Sequence, residues 1–111
     1  MSFAVRKDPK GVVVVTVDGQ LIVGNRHELK QKITESLDAG ERRFLVDFTK
    51  TGYIDSSGLG VLVSLSRRIR ETGGDLRLAG LNEDLRTLFE LTKLDTLFNI
   101  ADTATAALAG F

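Results

Sequence analysis

The chain has 111 residues, 42% of them hydrophobic and 27% charged. Fifteen basic residues balance fifteen acidic ones, so the basic excess that drives nucleic-acid binding through phosphate neutralisation is missing. There is no cysteine, which excludes disulfides, thiolate chemistry and cysteine zinc sites.

This length predicts one domain over residues 1–111, with a core large enough to fold without staples. Met1 to Asp8 lacks the apolar core of a signal peptide, and no apolar run is long enough to span a bilayer. The expectation is a cytoplasmic protein, monomeric or weakly dimeric. The densest basic cluster, Arg67 and Arg68 with Arg70, reads as the solvated face of a helix.

Phe3 to Asp8 alternates weakly and predicts an edge strand, followed by a turn at Pro9-Lys10-Gly11. Val12 to Val17 is a β-branched run without helical period and predicts a buried strand. Leu21 to Gly24 reads as irregular. Asn25 is then a candidate helix cap, with Glu28 completing a capping box, and Glu28 and Lys32 are placed to pair. Leu29, Ile33 and Leu37 form one apolar stripe, and Gly40 ends the helix. Arg43 to Phe48 predicts a third strand, and Thr49 to Tyr53 a loop.

From Gly58 to about Thr72 the apolar residues Leu59, Leu62, Leu65 and Ile69 trace a helix face, and Gly73-Gly74 stops it. Asp75 to Ala79 alternates cleanly as a fourth strand. Leu81 and Asn82 suit a staple and a cap for a helix carrying Leu85, Leu88, Phe89 and Thr92. Leu97 to Ile100 predicts a short last strand, and Asp102 a cap for an Ala-rich helix ending at Leu108. Five strands and four helices alternate after an opening hairpin. That order predicts an α/β domain whose later strands are parallel and joined by right-handed crossovers.

Enzyme machinery is sparse. His27, the lone histidine, lies in the first turn of a helix beside Arg26 and reads as solvated. It has no cysteine or clustered carboxylate partners for a metal. Ser56 and Ser57 do not stand in a Gly-x-Ser-x-Gly elbow, and no lysine has a motif-defined relation to either. Gly58 and Gly60 form half a dinucleotide fingerprint, but Val63 occupies the third glycine position.

The unusual stretch is Asp55-Ser56-Ser57-Gly58-Leu59-Gly60. Capping needs one Asp or Ser, whereas this stretch has three candidates. Each glycine costs about 1 kcal/mol against alanine inside a helix. Either another surface approaches closely, or the helix packs tightly on the sheet. A phosphoserine at a helix start carries about −1.5 to −2 charges, which the free amides tolerate and a docked partner does not.

In the segment Tyr53-Ile54-Asp55-Ser56-Ser57-Gly58-Leu59-Gly60-Val61 the chain resembles the STAS-domain anti-sigma factor antagonists of bacteria. Val17-Asp18-Gly19, Leu29 to Ile33, Gly73-Gly74 and Leu88 to Leu94 extend the resemblance over nearly the whole chain. It implies a mixed sheet of about five strands, with about four helices mainly on one face. It also implies a non-enzymatic partner switch without cofactor or metal. In that switch the unphosphorylated protein binds an anti-sigma factor serine kinase and frees the sigma factor. Phosphorylation releases the protein, and a serine phosphatase resets it.

The resemblance makes Ser56 the acceptor and gives Asp55 the shaping of the site. It makes Gly58 the point where the kinase surface approaches. Partner contacts are expected from Asp55 to Gly60 and from Gln20, Ile22 and Asn25. Many family members carry Gly-Glu-Leu-Asp where this chain has Gly19-Gln20-Leu21-Ile22. Ile22 thus replaces an acid near the acceptor, and Asn25 is a candidate substitute. The departure also leaves room for a non-catalytic scaffold subunit of a larger signalling or transporter assembly.

Overall fold

The computed structural model describes residues 3–111. Five strands form one mixed sheet: β1 (Phe3–Lys7), β2 (Val13–Val17), β4 (Arg43–Asp47), β6 (Asp75–Ala79) and β7 (Asn99–Ala101), in the order β1-β2-β4-β6-β7. The hairpin β1–β2 is antiparallel and every later pairing is parallel. Asp8 is buried in the connecting turn, where its carboxylate accepts from the amides of Lys10 and Val12 at 3.1 and 2.8 Å.

Strand alternation divides the apolar residues between two faces. Val13, Val15, Val17, Phe44, Val46, Leu76 and Leu78 face the larger core. That core is covered by α1 (Arg26–Asp38), α2 (Ser56–Glu71) and α3 (Glu83–Leu91) through Leu29, Ile33, Leu37, Leu62, Leu65, Ile69, Leu85 and Phe89. Phe89 meets Phe98 edge-on at 6.1 Å. The opposite face carries Val12, Val14, Leu45 and Ala79, and is covered by α4 (Ala104–Ala109) through Ala107. The expected five-stranded mixed sheet, with four helices mainly on one face, is the architecture observed.

Four local readings are corrected. First, Leu21 to Gly24 and Thr49 to Tyr53 are not simply irregular. Gly19–Leu21 is a strand, β3, and pairs in parallel with β5 (Thr51–Ile54) in a separate two-stranded sheet. Strands this short have no readable period, and each exists because the other is beside it. Second, Asn25 precedes α1 but its side chain caps nothing in the helix. Its amide oxygen accepts from Ile22 N at 2.9 Å, and its amide nitrogen donates to Gln20 O at 2.8 Å. Third, Glu28 and Lys32 form no ion pair among the described residues. Fourth, Thr103 rather than Asp102 caps α4, accepting from Ala106 N at 3.1 Å, while Asp102 pairs with Arg86 at 2.8 Å. Asn82 does cap α3, accepting from Leu85 N at 2.8 Å.

Candidate functional site

The site forms where β5 ends and α2 begins. Asp55, in extended conformation, is the N-cap. One carboxylate oxygen accepts from Gly58 N and from the Ser57 hydroxyl, both at 2.8 Å. The other accepts from Val23 N at 3.0 Å. Asp55 N in turn donates to Leu21 O at 3.1 Å. One acid therefore closes the helix end and pins the loop that follows β3, over thirty residues away in sequence. These donors stabilise the carboxylate. Its pKa lies below the ordinary value of 3.8, chiefly because of the Gly58 amide, while desolvation partly opposes the shift.

The two serines are inequivalent. Ser57 is partly buried and its hydroxyl is committed to Asp55. Ser56 is exposed in the first turn, and its hydroxyl enters no hydrogen bond among the described residues. Ser56 lies at the positive end of the α2 dipole, where the Asp55 carboxylate already takes the Gly58 amide. His27 is exposed on α1.

The two glycines answer different needs. Gly58 is buried, and a Cβ there would lie 2.5 Å from Leu21 O and 3.0 Å from Ile54 Cγ2. Its small size lets α2 lie against the β3–β5 pair. Close packing of the helix on these strands is thus one reason for a glycine at this position. Gly60 is exposed, and a Cβ there would meet nothing within 4 Å. Leu59 is 8% exposed and belongs to the core.

Of the residues singled out in the sequence, Ser56, Gly60 and Gln20 reach solvent, and Asp55, Ser57, Ile22 and Asn25 are half-buried. The β3–β5 pairing and the Asp55 carboxylate bring the two stretches, 20–25 and 55–60, together. Two neighbours were missed: Val23, bound through its amide to Asp55, and Tyr53, on the outward side of β5 opposite Gln20. Both are largely exposed. An apolar Ile-Val pair in a stretch read as irregular was the available signal for Val23.

Comparison with known proteins places this geometry. The STAS domain pattern matches residues 4–107. A Bordetella bronchiseptica protein named as anti-sigma factor antagonist BtrV is 30% identical over 101 residues, covering 91% of this chain and 87% of that protein. The anti-sigma-B factor antagonist of Staphylococcus aureus is 30% identical over 86 residues, covering 78% of this chain and 80% of its own. The crystal structure of a Thermotoga maritima protein named as an anti-sigma factor antagonist superposes with a TM-score of 0.90 at 28% identity. It covers 97% of this chain and 92% of that one.

Proposed function

The chain belongs to the STAS domain family, and from that membership we propose that it is an anti-sigma factor antagonist switched by phosphorylation of Ser56. Unphosphorylated, it binds an anti-sigma factor serine kinase and so frees the sigma factor. The kinase transfers the γ-phosphoryl group of ATP to the Ser56 hydroxyl: the bond from the γ-phosphorus to the bridging oxygen breaks, ADP leaves, and the hydroxyl proton passes to a base of the kinase. The modified protein dissociates, and a serine phosphatase restores it. The exchange belongs in the cytoplasm, where sigma factors meet RNA polymerase. The chain acts in it by binding and not by catalysis.

The observation that carries this reading is the contrast between the serines. Ser56 is exposed with its hydroxyl unengaged, while Ser57 spends its hydroxyl on Asp55. Two further features support it. The α2 N-terminus tolerates a phosphate, so modification leaves the fold standing. The loop after β3 is held beside Ser56 by Val23 N, so a partner touching one touches the other.

The test is incubation with the source organism's anti-sigma factor kinase and ATP, followed by mass spectrometry of the modified peptide. Phosphate is expected on Ser56, with none transferred to Ser56→Ala and transfer retained by Ser57→Ala. Ser56→Asp is expected to weaken the kinase complex by about tenfold or more. A Ser56→Asp protein that binds as tightly as wild type overturns the proposal.

A further inference from the structure

We infer that the surface around Ser56 is a neutral, apolar docking patch whose anchors are Tyr53 and Val23, and that these side chains select an anti-sigma factor kinase presenting a complementary apolar face. The inference rests on the antagonist reading above and adds the chemistry of the contact.

Large apolar side chains are exposed at four described positions: Val5, Val23, Tyr53 and Leu91. Singly scattered exposed hydrophobics are ordinary and need no explanation. Val5 on β1 and Leu91 at the end of α3 are of that kind. Val23 and Tyr53, at 63% and 57% exposure, are different because both adjoin Asp55. Val23 does so through its amide hydrogen bond, and Tyr53 by standing two residues before it on β5. Alternation along β5 turns Ile54 into the core and Tyr53 outward, where it lies opposite Gln20 of β3. On the other side of Ser56, Gly60 leaves open space one helical turn along α2.

The exposed residues named above are also uncharged. Gln20, Val23, Tyr53, Ser56 and Gly60 carry no charge, in a chain of which 27% is charged. Asp55 is the acid among them, and its carboxylate already accepts from three donors within the chain. Ile22 adds apolar surface, half-buried, next to Val23. A partner therefore gains by bringing apolar groups and has little to gain from a cation. Tyrosine suits the centre of such a contact, since it buries a large rigid ring for little lost rotamer freedom.

This composition explains how one phosphate acts. Ser56 lies amid side chains that lose water on docking. A phosphoserine there would have to be desolvated opposite an apolar surface with no cation to receive it. Release then follows from desolvation and does not require a change of fold.

The experiment measures the Kd of unphosphorylated wild type, Tyr53→Ser and Val23→Ser for the source organism's anti-sigma factor kinase, with Leu91→Ser as the control. Thermal melting confirms that each variant is folded. Tyr53→Ser and Val23→Ser are expected to weaken binding at least about 10-fold each, and Leu91→Ser to leave it unchanged. The wild-type Kd is expected to vary less than about 3-fold between roughly 0.1 M and roughly 0.5 M salt. Kinase affinity unchanged in both Tyr53→Ser and Val23→Ser, or a wild-type complex that weakens steeply with salt, overturns this inference alone. If wild type binds no such kinase, the antagonist reading falls and this inference with it. Concentration-dependent self-association abolished by Tyr53→Ser, with kinase binding unaffected, would assign the patch to a second copy of the chain and also overturn it.

Discussion

Gly58 and Gly60 stand two residues apart in one helix, and their surroundings predict opposite outcomes for the same substitution. Gly58→Ala would drive a Cβ against the Leu21 carbonyl, a backbone atom that cannot turn aside. Overpacking of this kind costs about 1–3 kcal/mol, so a clear fall in urea midpoint is expected. Gly60→Ala meets open space, and the gain in helix propensity is worth up to about 1 kcal/mol. Its urea midpoint should stay level or rise. If Gly60→Ala also leaves kinase affinity unchanged, the partner makes no close approach there.

Asp55 carries the pH-dependent contribution at this site. Its pKa is depressed in the folded protein, first by the Gly58 amide and then by Ser57 and Val23. The unfolded chain thus binds the proton more readily than the folded one. The stabilisation is present in full above the ordinary carboxylate value of 3.8 and is lost as pH falls through the lower folded value. Asp55→Asn should therefore be less stable than wild type at neutral pH. The two stability curves should converge in acid below the folded value, as followed by urea unfolding at stepped pH. Parallel curves would show that the carboxylate charge contributes nothing.

At the scale of elements, the loop between β3 and α1 is held from both sides. Asn25 binds Ile22 N and Gln20 O, and Asp55 binds Val23 N. Because Asn25 braces the loop instead of capping α1, Asn25→Ala should leave the helix intact. Loss of its two hydrogen bonds should cost about 1–3 kcal/mol. Amide exchange is the discriminating measurement. Faster exchange at Ile22 and Val23, with the α1 amides unchanged, is the expected pattern. Faster exchange through the first turn of α1 would restore the capping role. On the docking patch proposed above, loosening the loop should also weaken kinase binding through Val23.

At the scale of the molecule, the sheet is covered on both faces but unequally. Three helices close the larger core, while Val12, Val14, Leu45 and Ala79 depend on the short α4. Arg77 fastens this cover. It pairs with Asp75 at 2.8 Å, donates to Gly110 O at 2.7 Å and stacks over the Phe111 ring at 4.4 Å. Truncation after Asp102 would bare that face as a contiguous apolar patch. The shortened protein should bind a hydrophobic dye and elute as an oligomer in size-exclusion chromatography. A monomer that ignores the dye would show that α4 is dispensable as a cover.

The order of the main elements was legible in the sequence because each carries a signal within its own residues. The Leu29-Ile33-Leu37 stripe and the Asp75 to Ala79 alternation record which face meets the larger core, and the unbroken Val12 to Val17 run records burial on both faces. The Asp55 to Gly60 segment stood out by the same local reading, through composition unusual for a helix start. What the tertiary structure decided was every relation between distant residues. It made strands of Gly19–Leu21 and Thr51–Ile54, since three or four residues become a strand only when a partner supplies their hydrogen bonds. It turned Asn25 from a cap into a brace, its side chain bonding the backbone of Gln20 and Ile22. It separated Gly58 from Gly60, which look alike in sequence, whereas Ser56 and Ser57 part locally, at the helix start, where the Ser57 hydroxyl donates to Asp55. The two glycines meet different environments once β3 lies against α2, and a linear pattern carries no record of what packs beside it.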